Sequence, residues 1–133
     1  MDFNCVKPGP GGQLMLFHQP FTIVEKIQLL QRSILVNSFA YYELNDNLLP
    51  DYKYDANCKQ LEELAMSHPA EYKRSKYYEY MHDFCGDGGS NGAHQTTGFD
   101  LISRIKKSNK DLYNRIWNDA FVALRLKKER QYE

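Results

Sequence analysis

Thr22-Ile-Val-Glu-Lys-Ile-Gln-Leu-Leu-Gln-Arg-Ser-Ile-Leu-Val-Asn-Ser-Phe-Ala-Tyr-Tyr-Glu43 is the stretch on which the fold turns. Thr22 offers a hydroxyl to a free amide, and Glu25, three residues on, can reach back to the Thr22 amide, which is the pattern of a capping box. Ile23, Ile27, Leu30, Ile34 and then Phe39 or Tyr41 recur at helical spacing and form one apolar stripe. These positions predict a long, core-facing helix that ends near Glu43. Upstream, residues 1–20 hold Pro8, Gly9, Pro10, Gly11, Gly12 and Pro20. Such residues break helices and supply turns, so the segment reads as a flexible or extended N-terminal arm with one short extended piece, Gln13 to His18.

Downstream of the long helix, Asn45, Asp46, Asn47 and Pro50 interrupt the pattern, and Asp51 is placed to cap a second helix. The apolar positions of that helix are Tyr54, Cys58, Leu61, Leu64 and Ala65, so the two helices form a hairpin. Ser67-His68-Pro69 closes the second helix and opens a third, because proline is tolerated in a first turn. Residues from Tyr72 onward are expected to carry that third helix to Phe84. The run Gly86-Asp-Gly-Gly-Ser-Asn-Gly92 reads as a loop, since so many glycines remove helix preference.

Gly98-Phe-Asp-Leu-Ile-Ser-Arg-Ile105 suggests a short helix, and a last one from Asp111 sets Leu112, Ile116, Ala120 and Leu124 beside Tyr113, Trp117 and Phe121. The cationic Arg125-Leu-Lys-Lys-Glu-Arg130 suits a helix C-terminus. No internal repeat and no alternating pattern long enough to demand a sheet is visible. The expected fold is all-α: a compact helical domain built on a hairpin, with residues 21–133 as one module.

A chain of 133 residues with 42% hydrophobic content is long enough for one domain with a real core. Nothing approaches the roughly 18 consecutive apolar residues of a membrane helix, and the start of the chain lacks the pattern of a signal peptide. The expectation is a cytoplasmic protein without a membrane partner. Cys5, Cys58 and Cys85 are odd in number and irregular in spacing, which argues against a disulfide framework. Net charge is zero; residues 1–66 carry five basic and eight acidic side chains and residues 67–133 twelve and nine. That balance is a weak basis for nucleic-acid binding.

Several groups can be weighed for chemistry. His82-x-x-Cys85 puts two metal-capable side chains on one helical face, with Cys58, His68 or His94 to complete a set, yet no second closely spaced pair exists, and a metal site is not expected. The glycine-rich loop lacks the Lys-Ser/Thr ending of a phosphate-binding loop and has no strand before it. Tyr72, Tyr77, Tyr78, Tyr80 and Phe84, interleaved with Lys73, Arg74 and Lys76, fit a buried face with a solvated basic edge, a base-stacking surface or a protein-binding surface. Arg104 to Lys110 reads as a solvated helix end. Cys85 has no His/Asp arrangement that would make it a thiol enzyme's nucleophile.

One corner is more specific than its helices require. Phe39-Ala-Tyr-Tyr-Glu-Leu-Asn-Asp-Asn-Leu-Leu-Pro-Asp-Tyr-Lys-Tyr-Asp55 brings aromatic rings from the end of one helix to an Asp-x-x-Tyr-Asp cluster at the start of the next. Flat rings can stack on a heteroaromatic base, and carboxylates can accept hydrogen bonds from ribose hydroxyls or a carboxamide. The plainer reading packs the tyrosines in the core and uses the aspartates as helix caps.

This stretch resembles the N-terminal domain of NAD-dependent DNA ligases, whose Tyr-His, spacer and Asp-x-x-Tyr-Asp signature clasps the nicotinamide mononucleotide (NMN) half of NAD during enzyme adenylation. Tyr41 falls at the family's tyrosine, Tyr42 at its histidine, and Asp51, Tyr54 and Asp55 at the remaining positions without a gap. Leu61-Glu-Glu-Leu64 and His68-Pro69 also look like the family's continuation. The resemblance implies that Tyr41, Tyr42, Asp51, Tyr54 and Asp55 bind NMN, NAD or a related nucleotide, with no catalytic residue. The adenylation motif Lys-x-Asp-Gly is absent from the sequence, and without its lysine no covalent adenylate forms by the ligase route. The chain is also similar to small ligase-related proteins of phages and prophages, in which an aromatic-rich segment like Tyr77-Tyr78 leads through a turn to Gly-Phe-Asp-Leu, here Gly98 to Leu101. That likeness implies a stand-alone module, and with it the alternative of an anti-defence protein that binds and blocks a host immune protein.

Overall fold

The computed structural model describes residues 21–84 and 97–131. They form six helices: α1 (Ile23–Glu43), α2 (Asp51–Ser67), α3 (Pro69–Lys73), α4 (Tyr78–Met81), α5 (Gly98–Ser108) and α6 (Lys110–Gln131), with no strand among the described residues. The fold is all-α and compact, as the periodicity predicts. The N-terminal arm, the Gly86–Gly92 loop and the ligand candidates Cys85 and His94 lie outside the described residues.

α1 begins where the capping box sets it. The Thr22 hydroxyl accepts from the Glu25 N–H at 3.2 Å and the Glu25 carboxylate accepts from the Thr22 N–H at 2.8 Å. The helix is capped at Leu44, and the chain turns away through Asn45 at φ 60°, the left-handed region that asparagine tolerates better than most residues. The N–H groups of Leu44 and Asp46 turn back to the carbonyls of Phe39 and Ala40. A similar box opens α5, where Thr97 and Asp100 exchange bonds of 3.2 and 3.0 Å.

α1 is the central element, in contact with α2, α3, α5 and α6. Its Ile27, Ile34, Leu35 and Phe39 are fully buried and meet Leu61 of α2, Leu101, Ile102 and Ile105 of α5, and Leu112, Ile116, Ala120 and Leu124 of α6 in one core. Each of the buried Ile, Leu and Phe side chains contributes about 1.5–3 kcal/mol relative to exposure. At the end of the stripe it is Phe39 that enters the core, while Tyr41 is 54% exposed. Trp117 and Phe121 fall on the outer face of α6, with rings 5.5 Å apart and nearly parallel.

The expected single helix from Pro69 to Phe84 is instead two short helices with a turn at Arg74–Tyr77. The cause is tertiary. Ser75 donates to the Tyr72 carbonyl at 2.5 Å and accepts from the buried Gln31 amide of α1 at 2.9 Å, while the Tyr72 hydroxyl donates to the Met81 carbonyl at 2.8 Å. These bonds hold the chain in a turn that an unbroken helix would pull apart. Tyr72, Tyr77, Tyr80 and Phe84 are thereby buried and Lys73, Arg74 and Lys76 exposed, so the aromatic stripe is core with a solvated basic edge.

Arg104 also departs from its expected place at a solvated helix end. Its guanidinium forks onto both carboxylate oxygens of Asp83, at 3.0 and 3.3 Å, and donates to the Tyr80 carbonyl at 2.8 Å. The hydrogen bonds to Asp83 raise its already high pKa. The following Lys106, Lys107 and Lys110 are exposed.

Candidate functional site

At the open end of the α1–α2 hairpin the last turn of α1, the loop 44–50 and the first turn of α2 enclose a cavity of about 300 Å³. Asn37, Ser38, Tyr41 and Tyr42 line it from α1, Asn47, Leu48 and Leu49 from the loop, and Asp51, Tyr54 and Asp55 from α2. All five residues nominated from the sequence therefore converge on one space. The spacing explains it: positions 37, 38, 41 and 42 share a face of α1, and 51, 54 and 55 share a face of α2.

Asp51 is not the cap of α2. Pro50 occupies that position, and its carbonyl accepts from the N–H groups of Lys53 and Tyr54 at 3.0 and 3.1 Å. Asp51 is already helical and exposed, which leaves its carboxylate beside the positive end of α2 and on the wall of the cavity. Asp55, one turn later, is exposed on the same wall.

Tyr54 is half-buried, and its hydroxyl lies 3.0 Å from the buried Ser38 hydroxyl across the hairpin. Tyr42 is held edge-on between Tyr41 and Phe99, with ring centroids at 4.8 and 5.8 Å. Behind it stands Gly98. A Cβ there would come within 2.7 Å of the Ser38 hydroxyl oxygen and 3.1 Å of the Tyr42 ring, so the start of α5 packs directly on the back of the site.

The loop that closes the cavity is pinned from the far end of the chain. Lys127 of α6 donates to the Asn47 carbonyl at 2.5 Å, and Lys128 lies 3.5 Å from the Asp46 carboxylate. The Asn47 backbone N–H, 2.8 Å from that carboxylate, holds the Asp46 carboxyl below its usual range, with Lys128 adding to the effect.

The sequence reading missed Asn37, Ser38, Asn47, Leu48 and Leu49 as lining residues, and the contributions of Gly98, Phe99 and the α6 lysines. The Gly98-Phe99 pair carried a signal in its motif; the polar residues inside α1 carried none beyond their position on the face of Tyr41 and Tyr42.

Among the described residues, no three His, Cys, Asp or Glu side chains gather as metal ligands. No described helix is long and apolar enough to cross a membrane. No curated protein and no solved structure matches the chain. Residues 21–75, the hairpin that frames the cavity together with α3, match the family described as DNA ligase-like, N-terminal NAD+-binding domain.

Proposed function

We propose that the protein is a non-catalytic module that binds the nicotinamide-ribose half of NMN, NAD or a related nucleotide in the α1–α2 cavity. The observation that carries this reading is the convergence of Tyr41, Tyr42, Asp51, Tyr54 and Asp55 on one cavity within the segment that matches the NAD+-binding family. The chemistry suits the ligand. Tyrosine rings stack on a pyridinium, whose positive charge their faces attract, and the two carboxylates accept from ribose hydroxyls and the carboxamide. No lysine of the ligase adenylation motif is present, which supports binding without nucleotidyl transfer.

Calorimetric titration and thermal melting with NMN and NAD test the proposal. A ligand at 100 times its dissociation constant stabilises the protein by about 2.7 kcal/mol. Binding that Tyr54→Ala abolishes is the expected result; no heat and no thermal shift at millimolar concentrations of either compound would sink the reading.

A second reading, a phage-encoded protein that blocks a host immune protein, draws on the stacked Trp117 and Phe121, exposed to 36% and 43% on α6. Aromatic residues of this kind are enriched at interfaces. A stoichiometric host immune protein held by the wild type and by Asp55→Asn, and released by Trp117→Ala, would favour it over the nucleotide reading.

A further inference from the structure

We infer that the cavity selects the nicotinamide nucleoside itself, a pyridinium carrying ribose, and that a 5′-phosphate weakens binding; this rests on the nicotinamide reading above and sharpens it. The inference starts from charge. Two carboxylates, Asp51 and Asp55, stand on the cavity wall, and among the described lining residues there is no lysine, arginine or histidine. Of the lysines at this end of the hairpin, Lys127 donates through Nζ to the Asn47 carbonyl and Lys128 faces the Asp46 carboxylate, while Lys53, in the first turn of α2, is exposed and is not part of the lining. The positive end of α2 already has the Asp51 carboxylate beside it.

A nucleoside pyridinium brings one positive charge into this field and nothing to oppose it. The mononucleotide adds a phosphate of roughly −1.5 to −2 charge at neutral pH, which meets like charge on the wall. Like charges a few ångströms apart near a protein surface repel by on the order of 1–4 kcal/mol, and about 1.4 kcal/mol of that is tenfold in affinity. Size points the same way. At about 300 Å³ the cavity is at the low end of small-molecule sites, which run from roughly 300 to 1,000 Å³, so it encloses a nucleoside-sized group and leaves the remainder of a dinucleotide in solvent.

The test is a calorimetric series on the full chain at low ionic strength with nicotinamide riboside, its uncharged dihydro form, NMN and NAD. The riboside is expected to bind roughly tenfold more tightly than NMN, and more tightly than its dihydro form. In Asp55→Asn the gap between riboside and NMN should close by several-fold, and added salt should narrow it in the wild type. NMN binding as tightly as the riboside, or more so, overturns the inference and leaves the nicotinamide reading standing. An unchanged preference in both Asp55→Asn and Asp51→Asn overturns its electrostatic basis. Absence of binding by all four compounds overturns this inference and the proposed function together.

Discussion

The hydroxyl of Tyr54 on α2 lies 3.0 Å from that of Ser38 on α1, and Ser38 is 1% exposed. This bond ties the two arms of the hairpin at the floor of the cavity and fixes the ring that the ligand would face. Tyr54→Phe and Ser38→Ala are each expected to lower stability by about 1 kcal/mol without loss of helicity. In a double-mutant cycle followed by urea unfolding the two effects should be non-additive by about 0.5–1.5 kcal/mol. Strict additivity would show that the two hydroxyls do not act on each other.

Gly98→Ala probes the contact behind the site. A Cβ placed 2.7 Å from the Ser38 oxygen and 3.1 Å from the Tyr42 ring forces one of them to move. We expect a destabilisation of about 1–3 kcal/mol, together with weaker ligand binding as Tyr42 shifts. Ser38→Ala in the same chain removes the nearest atom and should recover part of the loss, measured as the denaturation midpoint. A Gly98→Ala protein as stable as the wild type would contradict this packing.

Tyr113 supplies a pH dependence. Its hydroxyl bonds to the Glu43 carboxylate at the end of α1, and that bond, with burial and the carboxylate's charge, pushes its pKa from 10.0 up to about 12. A group whose folded pKa is raised contributes stability that is complete below its unfolded value and lost as pH rises through the folded one. The contribution of this pair is therefore present up to about pH 10 and disappears by about pH 12. Glu43→Gln should bring the Tyr113 titration down toward its ordinary range, read as the tyrosinate absorbance that Tyr113→Phe removes. A titration unmoved by Glu43→Gln would refute the assignment.

The Arg104 fork predicts an asymmetry. Asp83→Asn weakens a part-exposed ion pair and is expected to lower stability by about 0.2–1 kcal/mol, less at high salt. Arg104→Ala also strips the Tyr80 carbonyl of a donor and the helix of a long packed side chain, so its effect should be the larger. Thermal melts of both variants at two salt concentrations distinguish the contributions.

How far these features can be read from the sequence depends on the range of the interactions that make them. The start of α1 follows from Thr22 and Glu25, three residues apart, and its buried face from a period that any helix imposes. The turn that splits α3 from α4 follows from Gln31 meeting Ser75 across 44 positions, which no local pattern announces. The motif residues Tyr41, Asp51, Tyr54 and Asp55 stand out because their spacing is unusual, whereas Asn37 and Ser38 look like ordinary polar positions until the hairpin closes over them. Asp51 shows the limit of a local rule: an aspartate near a helix start suggests a cap, but the carbonyl of Pro50 starts the helix one residue earlier.

The burial of α1 on several sides bears on how this module can be handled. The segment that matches the ligase-like family ends at residue 75, yet Leu101, Ile105, Ile116 and Ala120, all beyond that point, share its core. A fragment cut at residue 75 would present Ile34, Leu35 and Phe39 to water and would be expected to aggregate, and a transplant of the hairpin alone into another scaffold would lose the wall that Gly98 and Phe99 give to Tyr42. The portable unit is thus longer than the recognisable one: any exchange of this site between proteins has to carry α5 and α6 with it.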